Sequence, residues 1–393
     1  HFAAAAPAAE RTGFYRGDGG FVADSGNYNF TGTLTARLTP NLKVKASGMF
    51  QGWEEYWGDQ RGTGGNLFMP EKYGSAGKME FREDLQYVLV THTVSPKTFY
   101  EVRMTRSVST QDTLSGTASV TKGIQRDKAG DYTLGRQRAW WEEWHRKRFG
   151  FKVDLSSQAT KGNFMKMGIE VLRGSLDMMQ LYFYDASNRR MRMLVDESTP
   201  GKAVHPLHVN FYVQDKMEFE GLVANIGLRF DFYNYNYEYF TNLFHPTANP
   251  NYDASLPPGL RGPFNDPELA ETAKTELVYH LQPRLGFSYP VNDRSVIHVN
   301  YGSFTQRPNF DKIYRRYYDI TGNEVDELGN ARLKPERTNA YDFGLVQGLP
   351  FGFRLNISTY YKDVKNLVQT VFYEDSTGSD YKGFANLDYA NIK

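Results

Sequence analysis

The chain has no cysteine in its 393 residues, so disulfides and thiolate metal sites are excluded. It also has no uninterrupted apolar run near the roughly 18 residues that a membrane-spanning helix needs. Charge is nearly balanced at +1, so no basic field exists to neutralise phosphates, and nucleic acid is excluded as a partner. A Gly-rich phosphate loop, a nucleophile elbow and a His-Glu-x-x-His pair are all missing. The sequence therefore carries no enzyme signal and points to no cofactor. The start, His1-Phe2-Ala3, shows no charged segment followed by an apolar one and reads as mature or cut.

What is abundant is aromatic: 15% of the chain, with 27 Tyr and 27 Phe. The mean hydropathy of -0.59 is polar, as expected of a barrel in which every second strand residue faces a watery interior. Long and short connections alternate strictly. Short turns fall at Thr39-Pro40-Asn41, Ser95-Pro96-Lys97, Ala159 to Gly162, Glu218 to Gly221, Val291 to Asp293 and Gly348 to Gly352. Between them lie long polar stretches at 54 to 80, 111 to 140, 177 to 204, 234 to 276 and 306 to 337. Hairpins with tight turns at one end and long loops at the other characterise outer-membrane barrels.

Period-two alternation supports this. Leu207, Val209, Phe211 and Val213 alternate with His208, Asn210, Tyr212 and Gln214, and Leu222, Ala224, Ile226, Leu228 and Phe230 alternate with Asn225, Arg229 and Asp231. Ten such residues, tilted by about 45°, rise roughly 23 Å, enough to cross the apolar band. An arginine on the lipid face costs about 2 to 4 kcal/mol at mid-depth, so Arg37, Asn225, Arg229 and Asp231 are expected to face the lumen. From Gln86 to His92 the alternation leaves the inward face ambiguous. The expected fold is all-β, an antiparallel up-and-down transmembrane β-barrel of about 12 to 13 strands. Residues 1–393 are expected to form part of one barrel domain. The segment from Tyr381 to Lys393 reads as a strand stopping in mid-run, so an incomplete barrel without a plug or C-terminal strands is expected.

Aromatics gather at strand ends and loop feet, where an interfacial girdle and ordinary sheet packing both account for them. Ligand contact is the third reading, and it singles out Trp140, Trp141, Trp144, Tyr237 and Tyr239 as candidates. Adjacent Glu142 and Glu143 point to opposite strand faces and form no acid/base pair. Asp311, Asp319, Glu324, Asp326 and Glu327 lack calcium-loop spacing, so no metal site is expected. Arg315-Arg316 are placed to pair with these acids.

Several strand texts resemble one family. Phe211-Tyr212-Val213-Gln214-Asp215-Lys216, with the following Gly-Leu-Arg-Phe-Asp ending at Asp231, is similar to the central hairpin of TonB-dependent outer-membrane receptors. Pro283 to Tyr289, Tyr301 to Pro308 and Tyr360 to Leu367 resemble further hairpins, and Gly329 to Thr338 resembles the loop signature Gly-Asn-x-x-Leu-Lys-Pro-Glu-x-Thr. The flavour is closest to Oar-like receptors, which carry a carboxypeptidase-regulatory-like domain. The resemblance implies the barrel wall of a receptor importing a scarce ligand (siderophore, glycan or peptide) across the bacterial outer membrane. Its implied partners are outer-membrane lipid, and, in the full-length parent, a plug domain and the TonB complex. A passive porin or a surface-binding barrel is the alternative.

Overall fold

In the computed structural model the described residues are 25–58, 76–115, 125–126, 132–133, 139–183, 189–193, 203–261, 264–266, 269–319, 325–374, 378 and 380–392. They build one sheet of sixteen strands and two small sheets of two strands each. Three of the sixteen are short pieces within the long loops, which leaves thirteen long ones. In chain order these are β1 (Ser25–Thr39), β2 (Leu42–Gly58), β3 (Ala76–Ser95), β4 (Thr98–Ser115), β5 (Ala139–Gln158), β6 (Asn163–Phe183) and β7 (Leu207–Phe219). They continue as β8 (Leu222–Asn234), β9 (Val278–Asn292), β10 (Ser295–Gln306), β11 (Glu336–Gly348), β12 (Arg354–Glu374) and β13 (Asp380–Ile392). Each pairs antiparallel with its chain neighbour; across the tight turns no other partner is within reach of so short a connection.

The strands are longer than the alternation alone suggested. β2, β4, β5 and β6 run on beyond the apolar band into segments expected to be loop, where polar residues replace apolar ones without breaking the ladder. One exception to antiparallel pairing occurs. The loop strand Val325–Leu328 meets β13 in a parallel bridge at Glu327 and Lys382. The same loop strand joins Arg316–Asp319, which pairs with Arg189–Met193, which pairs back onto β6. A chain of short strands thus crosses the long-loop end from β13 to β6. β1 pairs only with β2, and no ladder joins β1 to β13 among the described residues, so the barrel is open, as expected.

Register sorts the side chains into two faces. One row runs Ala36, Val44, Val90, Val102, Val153, Ile169, Phe211, Phe230, Leu281 across nine strands. These residues point outward. Ile226 and Leu228 on the same face are 41% and 42% exposed, part of a continuous apolar belt suited to lipid as its solvent. Ala224, the smallest of the set, is buried between its register partners Met217 and Phe287. The ambiguous Gln86–His92 segment is settled by pairing with β2: Val88 and Val90 lie outward against Ala46 and Val44, and Tyr87 and Leu89 lie inward.

The opposite face is polar and hydrogen-bonded. Arg229, Tyr212, Gly168, Asp154, Glu101, Thr91, Lys43 and Arg37 form one inward row, so Arg37 and Arg229 share a face and a level. Tyr212 donates to Asp154 at 2.6 Å, and Lys152 pairs with Asp154 at 2.9 Å. Asp231 is 1% exposed and accepts both Arg229 nitrogens at 2.9 Å, His208 Nε2 at 2.8 Å and Gln282 Nε2. A buried carboxylate persists only with such a full set of donors. Asn225 lies exposed on this face, opposite Lys216.

Candidate functional site

Above the polar face, at the long-loop end, loops fold back over the inner wall. Leu176, Met178, Val204, Tyr233, Tyr235, Ile313, Tyr314 and Ala331 form a buried apolar cluster there. Its anchor is a short helix, α1 (Phe310–Tyr314), whose Ile313 and Tyr314 are fully buried. Tyr314 donates its hydroxyl to the Tyr235 carbonyl at 2.7 Å, and Tyr235 donates to the Leu333 carbonyl at 3.4 Å. Burial raises both phenols above the ordinary tyrosine range, so they remain protonated donors.

The Gly-Asn-x-x-Leu-Lys-Pro-Glu segment holds this arrangement, and each of its marked residues has a physical task. A Cβ at Gly329 would come within 2.6 Å of the Arg315 nitrogen, so the close approach of two backbones requires glycine. Asn330 donates to the Phe384 carbonyl at 2.8 Å, and Leu333 and Pro335 are buried. The Lys334 backbone exchanges two hydrogen bonds with Asn386, and Glu336 accepts the Val368 amide at 3.1 Å. The motif therefore ties its loop to β12 and β13.

Beneath α1 lies a cavity of about 710 Å³, bounded by Trp144, Arg146, Arg148, Tyr235, Arg307 and Phe310 among others. Donors and rings dominate these walls. Arg146 stacks over Trp144 at 4.5 Å and Arg307 over Phe310 at 3.6 Å. The Trp144 indole N–H is buried without a hydrogen-bond partner in a residue that lines the cavity. Burial pushes the Arg307 guanidinium below its ordinary value, with the tyrosines around it acting the other way. It stays cationic, since an arginine begins far above neutrality. At the edge, Arg315 pairs with Glu327 at 2.6 Å and Asp311 at 3.4 Å.

The aromatic candidates separate accordingly. Trp144 lines the cavity. Tyr237 is packed against the loop core, donating to the Tyr314 carbonyl at 3.4 Å with Arg316 over its ring. Tyr239 belongs to a small two-stranded sheet, opposite Ala273, and sits under Arg332. Trp140 and Trp141 fall in the upper part of β5, and their side chains lie outside the described residues. Arg146, Arg148, Arg307 and Tyr235 were not singled out in the sequence; an inward register position for the first two was the available signal. The Asp319 side chain and Glu324 also lie outside the described residues, and no cluster of metal-ligating residues occurs among those described.

Tight turns at one end, an outward apolar belt, an inward polar face and a loop-built cavity at the other end define a transmembrane β-barrel wall. The chain belongs to the family described as TonB dependent receptor-like, beta-barrel, which it matches over residues 5–393, and it is a protein of the bacterial outer membrane. Among solved structures it is similar to the Serratia marcescens hemophore receptor HasR, in complex with its hemophore HasA and heme, with TM-score 0.57 and 13% identity over 93% of this chain and 50% of that one. The copper transporter OprC gives TM-score 0.58 and 10% identity, covering 94% and 49%. The ferric-catecholate import receptor Fiu from E. coli K12 gives 0.52 and 14%, covering 94% and 54%. At such identities these likenesses concern the fold. The chain spans about half the length of each. No curated protein matches it.

Proposed function

We propose that this chain forms part of the wall and mouth of a receptor that imports a scarce ligand across the outer membrane, in concert with a plug domain and the TonB complex. The observation that supports this over a passive pore is the mouth itself: loops and α1 close over the inner wall to make a donor-rich, aromatic cavity. A pore selected for throughput gains nothing from a buried indole N–H and stacked arginines, whereas a capture site does. The lining favours an acceptor-rich, anionic small ligand, consistent with a siderophore, an acidic glycan or an acidic peptide.

The test is uptake by cells carrying the full-length protein, screened over iron-siderophore, glycan and peptide pools. Uptake that stops when the proton-motive force is collapsed, and falls at least tenfold with Arg307→Ala or Trp144→Ala, supports the proposal. Uptake that persists without the proton-motive force and ignores both substitutions points to a passive barrel. Tyr239→Ala serves as a control and leaves uptake within twofold.

A further inference from the structure

The outward face is not uniformly apolar, and the level at which it changes is sharp. Toward the long-loop end, the row Leu34, Ala46, Val88, Met104, Phe151, Val171, Val209 is still wholly apolar. The next row up reads Gly32, Gly48, Gln86, Arg106, Phe149, Arg173. Above it lies Phe30, Phe50, Asp84, Val108, Lys147, and two rows higher come Glu54, Glu80, Asp112, Glu143. Gln86 stands nine residues from the turn at Ser95, roughly 21 Å up a strand tilted by about 45°, close to the upper edge of the ~25 Å apolar band. Arg106 and Arg173 therefore flank Phe149 at the boundary between acyl chains and head groups, with Lys147 one step above between them.

Arg106, Lys147 and Arg173 are exposed, and none of them has a hydrogen-bond or ion-pair partner among the described residues. Arg106 and Arg173 sit two strand spacings apart, about 10 Å, so two flexible guanidinium stems can converge on one anion. Directly beside them the missing side chains of Gly32 and Gly48 leave a shallow apolar groove of about 440 Å³, walled by Phe30, Phe50, Met104 and Phe149, with Arg106 on its rim. A groove of this kind on a lipid-facing surface fits an acyl chain, and cations at its upper end fit the phosphate of the same lipid. We propose that this face binds a phosphorylated, acylated lipid of the outer leaflet, with one chain in the Gly32/Gly48 groove and the phosphate held by Arg106, Arg173 and Lys147. Asp84, one row higher on the same face, repels an anion near Arg106, so the phosphate sits toward Arg173 and Lys147.

The test uses the full-length protein in neutral detergent micelles and measures binding of a fluorescent lipid A probe, its dephosphorylated form and a zwitterionic diacyl lipid. The expected result is at least tenfold preference for the phosphorylated probe. That preference disappears in the double variant Arg106→Ala, Arg173→Ala and is restored by Arg106→Lys, Arg173→Lys. Filling the groove with Gly32→Leu, whose Cβ meets only the edge of the Phe30 ring at 3.5 Å, weakens the lipid at least fivefold while leaving far-UV circular dichroism unchanged. Equal binding of phosphorylated and dephosphorylated probes, indifference to the arginine pair, or full competition by millimolar inorganic phosphate against an unchanged Gly32→Leu response would each overturn the proposal.

Discussion

Asp231 shows how a membrane wall tolerates a buried charge. Its two oxygens receive Arg229, His208 and Gln282 from its own strand and both neighbouring strands, so the carboxylate welds β7, β8 and β9 on their inner side. Replacing it with alanine leaves a half-buried guanidinium without its paired carboxylate, and the loss is expected to be about 2 to 3 kcal/mol, below the 3 to 5 of a fully buried pair because Arg229 and His208 retain some solvent. Guanidinium unfolding of the protein in micelles checks this. Asp231→Asn, which keeps acceptor oxygen and shape, is expected to lose less than half as much. Ion pairs at the outer rows, such as His145 with Asp112 at 3.7 Å, are exposed and contribute little by the same reasoning.

At the scale of the element, a single strand records its two solvents. Leu228 and Asn225 stand three residues apart in β8 and face opposite ways. Leu228→Arg places a cation in hydrocarbon near mid-depth and is expected to cost about 2 to 4 kcal/mol in folding into lipid vesicles, whereas Asn225→Arg on the open polar face is expected to cost under about 0.5 kcal/mol. Similar penalties for the two would contradict the assignment of faces. The loop element behaves differently from the strands. α1 and the Gly329–Glu336 segment are held by backbone carbonyl acceptors and by Asn330 and Asn386, so their stability depends on contacts distant in sequence.

For the molecule as a whole, pairing predicts where it opens. β5 has a full ladder on both sides, with twenty residues in register with β6 and eighteen with β4. β1 has a ladder on one side only. Amide exchange of this chain in micelles is therefore expected to be fast at alternate positions of Ser25–Thr39, whose N–H groups point away from β2, and slowest across β4, β5 and β6. Uniform protection of β1 would show that its outer edge is paired to another strand.

Period-two alternation carried the strands, their faces and the sequential meander, because lipid on one side and water on the other act on each residue separately and a short turn leaves the next strand no other neighbour. Leu222 to Asp231 could be read alone for that reason. Gln86 to His92 could not, since polar and apolar residues occur on both of its faces and only pairing with Gly48, Ala46 and Val44 gives them direction. The cavity was largely invisible for a related cause: Trp144 and Arg146 come from β5, Tyr235 from the loop after β8 and Arg307 from the loop after β10, and their meeting depends on how loops fold across the wall. Tyr237 and Tyr239 illustrate the limit, for a tyrosine that packs a loop and one that touches a ligand are the same residue until their neighbours are in place.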